Sequence, residues 1–160
     1  MIRTTKPEDT ATLKALAEGT GVFLPTDIQA LQEVLDDYHA ENHREGHRSV
    51  TYEHNGQVSG FAYYAPAAMT DRTWYLWWIA VNKKIQARGI GKKMLTHVED
   101  AIRAENGRLL MLETSSLPTY EPTRKFYLKN GYNVAAVLKD YYADAHDMIV
   151  FSKRLLPALE

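Results

Sequence analysis

The spacing of apolar residues predicts a short strand and two helices in the first third of the chain. The strand is "IRTT", and the first helix covers residues 6–19, with a proline in its first turn and a glycine at its end. The second helix covers residues 24–42, where apolar residues recur every three or four positions, as in a helix with one buried side. The apolar residues of that second helix are Ile28, Leu31, Leu35 and Tyr38.

A period of two replaces the helical spacing in the next part of the chain. Asn55-Gly56 stands between two alternating segments within residues 48–67, and this dipeptide is the strongest short signal for a β-hairpin. Residues 73–81, "TWYLWWIAV", are rich in aromatic and branched side chains and predict a third strand of the same meander.

The second half of the chain alternates between helix and strand patterns. From Ile90 onward an amphipathic helix is expected, and "RLLMLETSS" after it is apolar enough for a central strand covered on both faces. A short helix at residues 121–131 and two strands at 132–140 and 146–155 follow. This order predicts an α+β fold in one domain, residues 1–160. We expect a mixed, mostly antiparallel sheet of about seven strands, flanked by helices on both faces and built around a right-handed β-α-β crossover.

Composition excludes several classes of function. The net charge of -1 gives no reason to expect a nucleic acid or an anionic membrane as partner. The chain has no cysteine, so disulfides, thiolate metal sites and cysteine nucleophiles are excluded. No stretch has the apolar length of a signal peptide or a membrane span, and we therefore expect a cytoplasmic protein.

The turn between the predicted third strand and the next helix has the composition of an anion site. Gly89 and Gly91 let a ligand approach the main chain, while Arg88, Lys92 and Lys93 supply positive charge. A helix begins with unpaired N–H groups and a partial positive charge, so phosphate or pyrophosphate is the expected ligand.

Two nucleotide-binding motifs do not fit this turn. A Walker loop would need glycine at Gln86 and serine or threonine at Lys93. A Rossmann fingerprint would need glycine or alanine at Met94, and its turn would belong to the first βαβ unit of the chain. The glycine turn therefore indicates another kind of phosphate-bearing ligand.

The sequence resembles the GCN5-related N-acetyltransferase (GNAT) superfamily in two segments and in its order of elements. The first segment is "QARGIG", which matches the Gln-x-x-Gly-x-Gly loop that binds the pyrophosphate of coenzyme A. The second is "RKFYLKNGY", which is similar to the family's tyrosine motif near the C-terminus. The resemblance implies an acetyl-CoA-dependent N-acetyltransferase that needs no metal and transfers the acetyl group directly to a primary amine.

The resemblance also implies roles for individual residues. Tyr127 matches the tyrosine that protonates the leaving thiolate, and a phenol's usual pKa near 10 suits that role. Glu113, which closes an apolar strand, is the candidate base, similar to the strand glutamate of the ribosomal-protein alanine acetyltransferases. We expect that position to be partly desolvated. The residues expected to bind the cofactor are Ile79, Ala80, Val81, Gln86, Ala87, Arg88, Gly89, Ile90, Gly91 and Lys92.

The acceptor stays open between a small-molecule amine and a peptide. Tyr120 stands where the alanine acetyltransferases usually carry asparagine, and the interval from Glu113 to Tyr127 is longer than theirs. We expect an acceptor wall from the first two helices and the segment of Tyr141, Tyr142 and Asp144. The chain is expected to be a monomer or a homodimer.

Simpler interpretations remain for each feature. The glycines can serve only a tight turn, Tyr127 can be a packing residue, and Glu113 can be a solvated strand end. His39, His43 and His47 have helix spacing for a metal, but a solvated helix end is the favoured interpretation. A coenzyme A-binding regulatory module without turnover, or a scaffold domain that binds nothing, are the alternatives to an enzyme.

Overall fold

The structure, a computed structural model, describes residues 1–85 and 88–159 of the chain. Its described residues form two compact units. Unit 1 comprises Met1–Pro66 and Leu76–Asp100, and unit 2 comprises Ala67–Tyr75 and Ala101–Glu160. The chain thus enters unit 2 twice, and one strand and one helix each contribute residues to both units.

Unit 1 contains the first three strands, two helices and the start of a third helix. Its two complete helices are α1 and α2, which carry the predicted apolar stripes. The elements in chain order are β1 (Ile2–Thr4), α1 (Thr10–Gly19), α2 (Pro25–Ala40), β2 (Arg48–His54) and β3 (Gln57–Pro66), then the end of β4 (Thr73–Val81) and most of α3 (Ile90–Ala104).

Unit 2 contains the start of β4, the end of α3 and all later elements. These later elements are β5 (Leu109–Ser115), α4 (Glu121–Lys129), β6 (Asn133–Ala143) and β7 (His146–Arg154). The order of elements and the seven strands are as the sequence predicts. The α+β fold class is confirmed.

The strands form a mixed sheet in the order β1-β2-β3-β4-β5-β7-β6. The pairs β1–β2, β2–β3, β5–β7 and β6–β7 are antiparallel, and β4–β5 is parallel. The β4–β5 ladder pairs Thr73, Trp74 and Tyr75 with residues 109–111. Because β7 lies between β5 and β6, the strand that comes last in sequence is an inner strand and β6 is at the edge.

Local sequence explains where the predicted helices were too long. The first helix begins as one 3-10 turn, Pro7–Asp9, before α1. The second ends at Ala40, two residues early, and a 3-10 turn at Asn42–Glu45 follows. Gly46, with a φ of 91°, closes that turn in a conformation that glycine adopts without strain. The hairpin at Asn55-Gly56 has positive φ at both residues, as a type I′ turn requires.

The core of unit 1 joins the two helices to the sheet. Its members share almost complete exclusion from solvent and bury apolar surface at about 25 cal/mol per Å². They are Leu13, Leu16, Ala17, Ile28, Leu31, Leu35, Tyr38, Phe61, Tyr63 and Ala80.

A close approach of main chain to α3 fixes the beginning of that helix in unit 1. A Cβ added to Gly60 of β3 would lie 2.8 Å from Sδ of Met94 and 3.2 Å from the carbonyl oxygen of Ala80. Met94 is fully buried, so a side chain at Gly60 would force the Met94 side chain or the neighbouring main chain to shift. The lack of a side chain at Gly60 therefore allows Met94 of α3 to pack closely against β3.

A partly buried ion pair ties the first strand of unit 1 to the turn after it. The Arg3 guanidinium donates to both carboxylate oxygens of Asp9, at 2.7 and 3.0 Å, and its Nε donates to Glu53 at 2.9 Å. Asp9 also accepts the Lys6 N–H at 2.8 Å. The hydrogen bonds from Arg3 hold the pKa of Asp9 below its usual value, although burial opposes them.

Candidate active site

The glycine turn opens α3 in unit 1 as the sequence predicts. Gly89 has a φ of 72°, and a Cβ added there would meet no atom within 4 Å, so the space beside its main chain is open. Its carbonyl accepts the N–H of Lys93 at 3.1 Å, which closes the first turn of the helix. The first N–H groups of a helix have no carbonyl partner within it, and they carry the positive end of the helix dipole.

The charged residues of this turn face solvent. Arg88 and Lys92 are exposed, Gly91 is half-buried, and Ile90 is buried beneath them. Two cations are thus accessible to solvent at the start of α3, and the apolar residue between them in sequence is turned into the core. Such a surface fits a pyrophosphate. Gln86 and Ala87, also predicted to bind the cofactor, lie outside the described residues.

A cleft of about 430 Å³ lies beside the chain just before this turn, within unit 1. The segment after β4 supplies one wall, where Asn82 Oδ1 accepts the N–H of Lys84 at 3.0 Å. The lining residues are Ala15, Leu16 and Gly19 of α1 together with Asn82, Lys83 and Lys84. Sequence reasoning did not assign Lys83 and Lys84 to the site. Two lysines in "NKK", directly before a predicted phosphate loop, were a signal that could have identified them.

The end of β4 is held against β3. The N–H of Asn82 donates to the carbonyl of Ser59 at 2.8 Å, and Ala80 and Val81 are buried, while Ile79 is partly buried. These residues are predicted to bind the cofactor through their main-chain N–H and C=O groups. Their side chains are wholly or partly buried, so the main chain is the part that can form hydrogen bonds.

Tyr127 lies in an aromatic cluster in unit 2. Its side chain is 4% exposed, and its ring contacts those of Phe126, Tyr132 and Phe151 with centroids 5.4 to 5.8 Å apart. Burial raises the pKa of the phenol well above its usual value of about 10. A phenol in this environment stays protonated. It can therefore serve as a proton donor to a nearby anion but not as a base.

Glu113 differs from the expectation for a strand-end carboxylate. Its side chain is exposed, so the expected partial desolvation was wrong. It accepts a hydrogen bond from the hydroxyl of Tyr75 at 2.5 Å. Burial and that hydrogen bond raise the pKa of Tyr75, with smaller contributions from Tyr142 and Tyr141. The alternation of residues along β5 could not reveal this contact, because the partner hydroxyl comes from β4.

The loop after β5 does not depend on Glu113. Arg124 of α4 donates to the carbonyls of Ser115 and Leu117 at 2.6 and 3.0 Å, and the N–H of Leu117 donates to Ser115 Oγ at 3.1 Å. These contacts anchor the loop by other means. None of these contacts involves Glu113.

Sequence reasoning missed one contact between polar side chains in unit 2, that of Ser115 with His146. His146 Nε2 lies 2.5 Å from Ser115 Oγ, and its ring lies 4.7 Å from the ring of Tyr142. Ser115 and Glu113 are two residues apart on β5 and share a face of the sheet. The signal was weak, because "DAHD" reads as an ordinary hairpin turn.

The three spaced histidines do not form a cluster. His39 is in α2, whereas His43 is in the separate 3-10 turn and its Nδ1 lies 2.8 Å from the Tyr38 carbonyl. His47 Nδ1 lies 2.5 Å from the Tyr63 hydroxyl. Among residues 1–85 and 88–159 there is no group of three His, Cys, Asp or Glu placed to hold a metal ion.

No helix in the described part of the chain is long and apolar enough to cross a membrane.

Comparison with known proteins relates these features to one family. The model of the Acetyltransferase (GNAT) family matches residues 16–132. Over 66 residues the chain is 29% identical to a Bacillus subtilis (strain 168) protein named uncharacterized N-acetyltransferase YsnE. That match covers 41% of this chain and 44% of the relative, so it spans less than half the length of the curated relative.

Solved structures agree over nearly the whole chain. A protein described as a GNAT-family acetyltransferase from Desulfovibrio desulfuricans is 32% identical, with a TM-score of 0.93 and coverage of 98% of this chain and 99% of that chain. An aminoglycoside 6′-N-acetyltransferase complexed with coenzyme A has a TM-score of 0.77 at 16% identity, covering 100% and 99%. The second likeness supports the fold alone. With a family match over more than half of its length, the chain belongs to the Acetyltransferase (GNAT) family.

Proposed function

We propose that the protein transfers an acetyl group from acetyl-CoA directly to a primary amine of a small molecule or a peptide. The observation that carries this proposal is the glycine turn of unit 1. Gly89 opens α3 at positive φ with empty space beside it, and exposed Arg88 and Lys92 flank the helix N-terminus. A turn used only to connect two elements would not need this accumulation of cations around bare backbone.

The cofactor is held mainly by main-chain groups in this proposal. The N–H groups from Gly89 to Lys92 bind the pyrophosphate, and residues 79–81 of β4 pair with the pantetheine arm. The short β4–β5 ladder supports the second part, because its pairs end at Tyr75 while β4 continues to Val81. Gln86 and Ala87 complete the predicted loop, and no metal takes part. Lys83 and Lys84 add positive charge in the adjoining cleft.

The transfer step needs one proton acceptor and one proton donor. The acceptor nitrogen attacks the thioester carbon, a C–N bond forms, and the C–S bond breaks as the oxyanion intermediate collapses. Glu113, directly or through a water, takes the proton from the nitrogen, and Tyr127 donates a proton to the departing thiolate. The oxyanion is stabilised by a main-chain N–H at the end of β4.

The environments of the two side chains support these roles. Burial keeps the Tyr127 phenol neutral, which a donor requires before the thiolate forms. Glu113 is exposed, so an amine arriving from solvent can reach it, and the Tyr75 hydroxyl orients one of its oxygens. The second oxygen is then left in a position to accept a proton.

An acceptor screen with acetyl-CoA tests the proposal. Release of free thiol is followed across small-molecule amines, amino acids and N-terminal peptides, with the thermal shift caused by acetyl-CoA measured in parallel. We expect a shift and turnover with at least one amine. A shift without turnover would favour the regulatory module, and the absence of any shift would contradict cofactor binding at this turn.

A further inference from the structure

Three neighbouring strands of unit 2 each place one arginine at the same end of the sheet. Arg72 comes directly before β4, Arg108 comes directly before β5, and Arg154 is the last residue of β7. The parallel ladder pairs Thr73 with Leu109, and the antiparallel ladder pairs Leu109 with Arg154. The register of the sheet therefore brings three guanidinium groups to one place from segments that are far apart in sequence.

Main-chain hydrogen bonds fix these three segments to one another. The N–H of Arg108 donates to the carbonyl of Arg72 at 2.8 Å, and the N–H of Leu155 donates to the carbonyl of Arg108 at 2.9 Å. Arg72 has a φ of 57°, a left-handed conformation that is unfavourable for a residue with a long side chain. Such conformations persist where the surrounding structure imposes them, and they are concentrated at functional sites. The main chain beneath the three arginines is therefore in place before any ligand arrives.

A cleft of about 310 Å³, called here the arginine cleft, is lined by Arg72, Arg108 and Arg154. Its other lining residues belong to the turn after α3 and to the segment after β7, and they include Leu156 and Pro157. No carboxylate lines it within the described part of the chain. Sites for small molecules have volumes of about 300 to 1,000 Å³. The arginine cleft is therefore large enough for a small ligand with an anionic group and a short apolar part.

The positive charge of the arginine cleft exceeds the negative charge beside it. Asp71 accepts hydrogen bonds from Nε and Nη2 of Arg72 at 3.0 and 3.2 Å, and its Oδ2 lies 3.8 Å from Nε of Arg108. The Arg154 side chain is exposed and forms no hydrogen bond or ion pair with any residue that the structure describes. Three guanidinium groups beside one carboxylate leave an excess of two positive charges.

We propose that the arginine cleft binds the phosphate group of a small organic phosphate monoester. A phosphate monoester carries a charge of about -1.5 to -2 at neutral pH, which matches the excess of the cleft better than the single charge of a carboxylate does. Guanidinium groups also donate paired hydrogen bonds whose geometry fits phosphate oxygens. Leu156 and Pro157 supply apolar surface for the organic part of the ligand.

The arginine cleft is separate from the candidate catalytic carboxylate of unit 2. Arg108 precedes Glu113 by five positions along β5, and a rise of about 3.3 Å per residue places their main chains about 16 Å apart. A ligand in the cleft therefore leaves Glu113 accessible, and the proposal does not rest on acetyl transfer. Because such a ligand contacts the segments before β4 and β5 and the end of β7 together, its binding should stabilise the folded form of unit 2.

A titration with phenyl phosphate, followed by NMR of the nitrogen-15-labelled protein at constant ionic strength, tests the proposal. We expect saturable shifts of the main-chain amide signals of Arg72, Arg108 and Arg154. Arg154→Gln removes an exposed guanidinium and should raise the Kd at least about tenfold, because charged hydrogen bonds to the phosphate are lost. The matched control is Arg44→Gln, which removes an exposed arginine of unit 1 and should leave the Kd unchanged. Shifts that do not saturate, or an equal Kd in the two variants, would overturn the proposal.

Two further titrations separate the arginine cleft from the glycine turn of unit 1 and an ester from free phosphate. Gly89→Val alters only the turn, so phenyl phosphate should shift the three arginine signals with the same Kd as in the wild type. Loss of those shifts in Gly89→Val would assign the phosphate to the turn and contradict the proposal. Inorganic phosphate should bind at least about tenfold more weakly than phenyl phosphate, because it buries no apolar surface against Leu156 and Pro157. Equal affinity for the two would contradict a site for an organic ester.

Discussion

The candidate site of unit 1 consists mainly of backbone groups, whereas the candidates in unit 2 are side chains. The glycine turn of unit 1 is defined by a helix start, a positive φ and open space, and its exposed side chains add only charge. In unit 2 the candidates are a buried phenol and an exposed carboxylate, Tyr127 and Glu113, and each depends on neighbours from other elements. A backbone site is therefore readable from a few consecutive residues, while a side-chain site depends on contacts that sequence does not give.

The largest effect is expected from the phenol of unit 2. Tyr127→Phe removes only the hydroxyl, so the turnover rate should fall about 100 to 10,000-fold, the usual cost of losing a general acid, while the affinity for acetyl-CoA is retained. Tyr132→Phe, whose ring contacts that of Tyr127, is the matched control and should keep most of the activity. Steady-state kinetics and a binding titration measure the two quantities. A loss below about threefold, with chemistry limiting, would leave Tyr127 as a packing residue.

The backbone site of unit 1 is probed by adding a side chain to it. Gly89→Val places a branched side chain where the pyrophosphate approaches and strains a positive φ, so the thermal shift caused by acetyl-CoA should disappear. Gly21→Val is the matched control, because Gly21 also has positive φ (76°) and no atom within 4 Å of an added Cβ. It should destabilise the fold by a similar amount and keep the shift. An unchanged shift in Gly89→Val would place the pyrophosphate elsewhere.

The exposed carboxylate of unit 2 should have a smaller and pH-dependent effect. Glu113→Gln is expected to lower the rate about tenfold at a pH where the acceptor amine is mostly charged, because water can partly replace an exposed base. The deficit should shrink as the pH rises, since free amine then forms in solution. Glu121→Gln on α4 is the control. Parallel pH–rate profiles of wild type and Glu113→Gln would remove Glu113 from the mechanism.

The smallest expected effect is on the free energy of unfolding. It is tested by removing one ion pair from each unit. Asp9→Asn in unit 1 should cost about 1.5 to 3 kcal/mol at pH 7, because it breaks charged hydrogen bonds to Arg3. The folded pKa of Asp9 is lowered, so its contribution is present above the unfolded pKa of about 3.9 and is lost as the pH falls toward the folded value. Urea unfolding of wild type and variant should therefore converge below about pH 4.

The matched variant in unit 2 is Asp147→Asn, which breaks an exposed pair with Lys139. A smaller loss of stability than that of Asp9→Asn is expected, because solvent screens an exposed pair. An equal or larger loss would show that the hairpin of β6 and β7 depends on that carboxylate more than burial indicates.

Sequence was sufficient for the fold and for the position of the glycine turn, for a physical reason. Periodicity and turn residues are local, and they placed all seven strands and the glycine turn before α3. Helix ends were less accurate, because α2 gives way at Glu41 to a 3-10 turn, a change that a stripe of apolar residues does not report. The prediction of one domain over 1–160 stays untested, and the described residues form two compact units.

The side-chain environments could not be predicted in the same way. The exposure of Glu113 and its hydrogen bond from Tyr75 depend on the register of β4 against β5. The contact between Ser115 and His146 likewise joins residues 31 positions apart. Both are long-range, and the identity of a residue says little about what lies opposite it on another strand. The roles assigned to Tyr127 and Glu113 remain predictions.

The position of β7 has a consequence for how the chain is made on the ribosome. Synthesis releases β6 before β7, yet β7 is the strand that lies between β5 and β6. Until residues 146–154 emerge, β5 and β6 have no common partner, and the uncharged residues 133–138 of β6 lack the strand that pairs with them. Unit 2 is therefore expected to complete its sheet only after this late segment leaves the exit tunnel, and a nascent chain halted before His146 is the form most exposed to misassociation and chaperone capture.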